Sequence, residues 1–400
     1  MKNNWLPLLV TLAIQATVSL ALLTVPVMAA VVAQALGLSA TLVGVFVALA
    51  YIGAILASLA SGSAVARFGA IRVSQAGLLL CAAGLVLCVL PSVAAMALGA
   101  LLIGLGYGPI TPASSHLLAQ TTPPHRMSLV FSVKQTGVPL GGMLAGAIVP
   151  GLVLWAGWQA ALVAVAAANV LCALASQPLR ADLDADRQPD RALAFGNLMQ
   201  PLHLVLSQRV LARLAAFSFV FSAVQLSLST YLVTYLHVAL DYGLVKAGLA
   251  LSAAQLGGVV GRVAWGYVSD RWLGARRVLA IVAGLMALST LATALLNALV
   301  PPVLVFTLLV VFGASAIGWN GVYLAEVARR APPGMASMAT GGTLAVTFFG
   351  VVLGPALFGA LAALGGGYRV GFAALAVPTA VCFLSLLRKD RPDASQQGRD

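Results

Sequence analysis

Three charged side chains, Lys134, Arg262 and Glu326, stand inside long apolar stretches of a 400-residue chain in which only 8% of residues are charged. A charge in the middle of a membrane helix costs about 2.5–3.5 kcal/mol on insertion scales, so each needs a physical reason. Lys134 lies in Phe131-Ser-Val-Lys134-Gln-Thr-Gly137, and no Asp or Glu precedes Asp182 anywhere in the chain. It can snorkel to an interface, pair across to the second half, lose its proton, or meet a bound anion. Arg262 sits one helical turn before Gly266. Its guanidinium stays protonated and presents a planar fork that matches a carboxylate, though a structural arginine is equally compatible with this position. Glu326 is three residues from Arg329, which fits an intrahelical ion pair near the membrane surface more simply than a proton site. His116 is a second candidate coupling residue because histidine changes charge near neutral pH; a hydrogen-bonded packing role is the simpler reading.

Other chemistry is poorly supplied. No Ser–His–Asp arrangement, carboxylate pair or metal-ligand cluster is legible, so neither an enzyme nor a cofactor is expected. The four cysteines, Cys81, Cys88, Cys172 and Cys382, lie in apolar runs without ligand spacing and read as packing residues. Uncharged polar residues do form stripes. Thr11, Gln15 and Ser19 recur at helical spacing, as do Tyr107, Thr111 and Ser115. Ser218, Ser222, Gln225 and Ser229 form a third stripe, and Asn320 and Tyr323 share a face beside Trp319. Such spacing places polar groups along one side of a helix, where they line a path or pack between helices.

The elements that position these residues are membrane helices. Hydrophobic residues make up 61% of the chain, and the mean hydropathy is +1.02. A soluble domain carries about 25% charged residues, three times the share here. Gly, Pro, Arg and Asn clusters divide the chain into twelve apolar segments, approximately 6–34, 41–65, 73–90, 93–119, 127–154, 159–177, 210–236, 247–268, 278–297, 302–328, 335–364 and 370–387. The first resembles a signal peptide, but the charge distribution argues for a retained span. One long polar connection, 178–209, carries Asp182, Asp184, Asp186 and Asp190 among arginines. The expected domains are therefore a six-helix bundle over 1–177, a cytoplasmic linker over 178–209, a second bundle over 210–387 and a cytoplasmic tail over 388–400.

The formal charge of +12 does not indicate nucleic-acid binding, since Lys and Arg occur singly or in pairs between apolar runs. Eighteen of the 22 basic residues fall in loops on one side when the N-terminus is placed inside, with only Lys246 and Arg369 in loops opposite. The positive-inside rule then places both termini in the cytoplasm of a multi-pass protein of the cytoplasmic, or inner, membrane. The halves also repeat. Gly62-Ser-Ala-Val-Ala-Arg67 recurs as Gly266-Tyr-Val-Ser-Asp-Arg271, 204 residues later, and Pro123-Pro124 recurs as Pro332-Pro333, 209 residues later.

These features resemble the major facilitator superfamily over essentially the whole chain. The second loop copy, Gly266, Asp270, Arg271, Gly274, Arg276 and Arg277, nearly completes that family's gating motif. The first keeps Gly62, Arg67, Gly69 and Arg72 but has Ala66 at the acidic position. The resemblance implies an all-α fold of twelve transmembrane helices in two pseudo-symmetric bundles, a latch at these loops in the outward-open state, and a central cavity lined by spans one, four, seven and ten. The placement of Arg262 is similar to that in oxalate/formate exchangers and monocarboxylate transporters, where the corresponding arginine contacts the substrate carboxylate.

The expected function is alternating-access transport of a small organic anion, a carboxylate above all, either with protons or by exchange. Lys134, Arg262, Tyr107, Gln15, Gln225, Trp319, Asn320 and Tyr323 are the candidate substrate residues. Besides the solute, the expected partners are the bilayer and protons, and the chain is expected to act as a monomer. Proton-coupled export of drugs or neutral solutes is the alternative, weakened by the absence of acid in the first bundle. A membrane sensor is the remaining reading.

Overall fold

The structure is a computed structural model that describes residues 5–122, 127–190, 199–332 and 335–388. Pro123, Pro124, Arg126, Arg191, Pro333, Lys2 and the tail beyond residue 388 lie outside the described residues. An apolar segment in lipid must satisfy its own backbone, and helices are the local solution. The described residues form helices joined by short turns, without strands. Eleven are long and apolar enough to cross a membrane. One of these, Val133–Leu183, contains two spans, because Gly157 turns the chain with φ +86°.

Several predicted segments are interrupted. The first ends at Val27 and resumes as the short helix Ala29–Leu36. The fourth divides into Val93–Tyr107 and Ile110–Thr121 around Gly108-Pro109. The fifth breaks at Thr136, between Met127–Gln135 and the helix beginning at Gly137. The tenth divides into Pro302–Ala316 and Asn320–Arg330. The connection 178–209 is also more structured than a polar loop, because Met199–Ser207 is a helix packed on span eleven.

Packing repeats between the halves. Span one packs on five and seven on eleven; span two packs on four and eight on ten; span three packs on six and nine on twelve. The correspondence extends to single residues. A Cβ on Gly104 would collide with the Ala50 carbonyl, and one on Gly313 would collide with that of Ala254. These pairs are related by the same 204- and 209-residue offsets seen in the loops. Glycine lets the two backbones touch, and van der Waals contact drives helix association where the hydrophobic effect cannot.

Contacts between the halves concentrate at the end remote from the basic loops. There Tyr231 Oη lies 2.8 Å from the carbonyl oxygens of both Thr41 and Pro355, and Ser252 Oγ donates to Met143 O at 2.8 Å. The two halves are thus held together at the far end.

Candidate transport site

The fifth span breaks where its charge is. Lys134 occupies the last turn of Met127–Gln135. Four residues beyond Gln135, Pro139 lacks the N–H that would continue the helical ladder, so the Gln135 carbonyl is left free for another donor. Arg262, arriving from span eight, supplies it through Nη1. Its Nε donates to Ile317 O at 3.1 Å, at the break in span ten. One guanidinium therefore joins the interruptions of two helices from opposite halves.

Lys134 has no such arrangement. It is 1% exposed, and its Nζ has no hydrogen-bond partner among the described residues. Polar side chains nearby are engaged with one another. Gln15 accepts from Thr111 at 3.1 Å through Oε1, and Gly137 packs directly on its side chain. Tyr107 packs edge-on against Tyr51 with ring centroids 6.0 Å apart. Gln225 Oε1 accepts from Trp319 Nε1 at 3.1 Å and from Asn320 Nδ2 at 3.4 Å. Gln255 Nε2 donates to Ser229 Oγ at 3.2 Å. A small cavity between the halves is lined by Tyr51, Tyr107, Gln225, Ser229 and Gln255, and by Val138 one turn from Lys134.

The structure thus brings Tyr107 and Gln225 to one cavity and places Lys134 and Arg262 beside it. Trp319 and Asn320 touch that cavity through Gln225. Tyr323 is buried against Trp319, with centroids 5.2 Å apart. Two of the span-seven serines are directed elsewhere: Ser222 donates to Thr347 O at 2.9 Å, and Ser218 accepts from Thr347 Oγ1 at 2.9 Å. Their hydroxyls join helices. Neither Tyr51 nor Gln255 stands out in the sequence: Tyr51 is a single polar residue in an apolar run, and Gln255 has only Ser252 one turn before it, too short a stripe to mark a cavity face.

The coupling candidates lie apart. Glu326 is 3.0 Å from Arg330 Nε and 3.3 Å from Arg329 Nε, an intrahelical pair one residue longer in reach than the spacing to Arg329 suggested. His116 Nε2 is 2.7 Å from Asp186 of the linker, and Gln120 donates to the same carboxylate at 2.7 Å. Burial raises the Asp186 carboxyl, but the hydrogen bonds from Gln120 and His116 and the imidazole charge outweigh it, holding the group below its ordinary value.

The repeated loops differ in the same way as their sequences. Gly69 and Gly274 both turn the chain with positive φ, +95° and +75°. At Gly69 the missing side chain leaves room for Asp184, which accepts from Ile71 N at 2.7 Å and Arg72 N at 3.0 Å. A linker acid thus caps span three next to the motif whose own acidic position is Ala66. Arg67 lies over the Phe68 ring at 5.4 Å. Among the described residues neither Asp270 nor Arg271 forms an ion pair.

Two pseudo-repeated helical sets around a polar interface, with helices interrupted beside it, define a membrane transporter fold. The chain matches the Major Facilitator Superfamily over residues 8–349 and belongs to it. It is a multi-pass membrane protein of that superfamily. It is 24% identical over 306 residues to the benzoate transport protein of Acinetobacter baylyi, covering 69% of this chain and 65% of that protein. It is 28% identical over 282 residues to the gentisate transporter of Corynebacterium glutamicum, covering 68% and 61%. The chain therefore spans less than two thirds of the length of either relative. Among solved structures, a point mutant of the nucleoside transporter NupG superposes with a TM-score of 0.76 at 17% identity, covering 96% of this chain and all of that one. A POT family transporter in complex with 5-aminolevulinic acid also gives 0.76, at 14% identity and 95% coverage of both chains.

Proposed function

We propose that this protein carries a small organic anion, a carboxylate, across the cytoplasmic membrane by alternating access, in symport or exchange. The observation that carries the reading is Lys134: a fully buried amine without a hydrogen-bond partner among the described residues, in a half of the chain that has no acid before Asp182. A carboxylate is the group that would complete it. Arg262 reaches the same region from the other half with donor capacity beyond its two carbonyl bonds, so one anion can draw both halves together. Tyr107, Gln15 and Gln225 would bind the remainder of the solute, with Trp319 and Asn320 holding Gln225 in place. The rings of Tyr51 and Tyr107 suit a planar or aromatic body, and relatives named for benzoate and gentisate support the same class.

On this reading the basic end faces the cytoplasm, residues 1–177 and 210–387 move as two bundles about the linker, and the present conformation is inward-facing. A single chain encloses the site. The test is uptake of labelled benzoate by proteoliposomes containing the protein, Lys134→Gln or Arg262→Gln. Removing a charged hydrogen-bond partner is worth about 1.5–3 kcal/mol, so each variant is expected to lose about 10- to 100-fold in kcat/KM. Undiminished uptake by both variants refutes the assignment.

A further inference from the structure

Lys134 raises a solvation problem that Arg262 does not. The Arg262 guanidinium has two carbonyl acceptors that the helix breaks set free. The Lys134 amine has none among the described residues and is 1% exposed. Its ionisable surroundings can be named. The helix carrying it, Met127–Gln135, packs against span one, the second helix of span four and the continuation of span five. Span one, Leu6–Val27, contains no ionisable residue. Ile110–Thr121 contributes only His116, already held by Asp186. Gly137–Ser176 contributes only Cys172. Arg262, bonded to the neighbouring Gln135 carbonyl, is the further charge beside it, so among the described residues every formal charge facing Lys134 from these elements is positive or absent.

A lone ammonium in such a place is shut off from bulk solvent, has no counter-ion among the described residues and stands beside a second cation, so holding a charge there is costly. A carboxylate arriving at the site reverses the balance, because it supplies the missing acceptor and the opposite charge together. We infer, on the basis of the anion-transport reading, that Lys134 is the proton carrier: a free amine when the site is empty, and an ammonium when a carboxylate occupies it. The balance is simple. The Nζ lone pair takes one proton from the compartment to which the site is open, forming one N–H bond. That bond breaks, and the proton leaves, when the carboxylate departs on the other side. One monocarboxylate and one proton then cross together with no net charge, and the empty protein returns without a proton.

The test uses the full-length protein with benzoate as the probe. Calorimetric titration in buffers of different ionisation enthalpy, at about pH 8, counts protons taken up on binding; the expected value is about one per benzoate. Lys134→Arg keeps a permanent cation and is expected to bind benzoate with no proton uptake. In proteoliposomes, whatever benzoate flux this variant carries should no longer respond to a pH gradient, whereas the flux of the wild type should. Wild-type accumulation should respond to the pH gradient and not to membrane potential. Benzoate binding to wild type without proton uptake overturns the inference while leaving anion transport intact, and it does so whether or not the arginine variant folds. Proton uptake that persists in Lys134→Arg assigns the proton to another group and overturns it as well. Absence of both benzoate binding and counterflow in the wild type removes the anion reading and this inference with it.

Discussion

Asp184 and Asp186 stand two residues apart in the linker and act on different helices. Asp184 is fully buried and caps the first N–H groups of span three, which have no partner within their own helix. Asp186 is partly exposed and ties the linker to His116 and Gln120 at the end of span four. Because its carboxyl lies below the ordinary value of 3.8 when docked, ionisation favours docking. That contribution is fully present above the ordinary value and fades as pH falls through the lower, docked one. A spin label at Ala185→Cys should therefore remain immobile between about pH 7 and pH 5 and gain mobility below about pH 4, an acid dependence absent from Asp186→Asn. Equal mobility across the whole range would disconnect the ion pair from linker docking. Residue types indicated that the linker was acidic, but a partner 70 positions away in the chain was beyond any local pattern.

Helix breaks and helix contacts were legible to different degrees. The interruption of span four at Gly108-Pro109 has a plain local cause, and the Pro139 gap that exposes Gln135 O follows from proline chemistry alone. The break in span ten carries no proline and depends on how Ile317, Trp319 and Asn320 meet span eight and Gln225. The glycine contacts are stricter. Gly104 and Gly313 each face a backbone carbonyl, which cannot rotate away as a side chain could. Gly104→Val and Gly313→Val are each expected to destabilise the protein by about 1–3 kcal/mol or more, with lower thermal midpoints by fluorescence-detected gel filtration. Gly62→Ala and Gly266→Ala, facing open space, should leave the midpoint nearly unchanged. A large loss from the second pair and none from the first would contradict the packing described.

For the molecule as a whole, transport requires the contacts at the far end to be breakable. Tyr231 belongs to span seven, Thr41 to the start of span two and Pro355 to span eleven, so its hydroxyl sits where the halves meet. Its single hydrogen serves one carbonyl at a time, and the ring stacks on Phe358 at 4.4 Å. Tyr231→Phe keeps the stacking and removes the hydrogen bond, worth about 0.5–1.5 kcal/mol, which corresponds to roughly a 2- to 10-fold shift toward opening at the far end. Pulsed electron-spin distance measurements between labels at Leu38→Cys and Leu364→Cys, both exposed positions, should show a larger long-distance population in the variant. Identical distributions would show that the hydroxyl does not hold this end closed.

Hydropathy, charge placement and repetition are properties of short stretches, and they were enough to determine a twelve-span membrane fold, its internal repeat and the few charges that lipid could not tolerate. The same reasoning identified Lys134 and Arg262 as exceptional but could not separate them. Only the folded chain distinguishes them, because it places two liberated carbonyls around Arg262 and, among the described residues, no hydrogen-bond partner at Lys134. The difference arises from backbone groups on helices 55 and 127 residues from the arginine. Burial and hydrogen-bond satisfaction are sums over neighbours in space, and so tertiary packing decides which of the two is left without a partner.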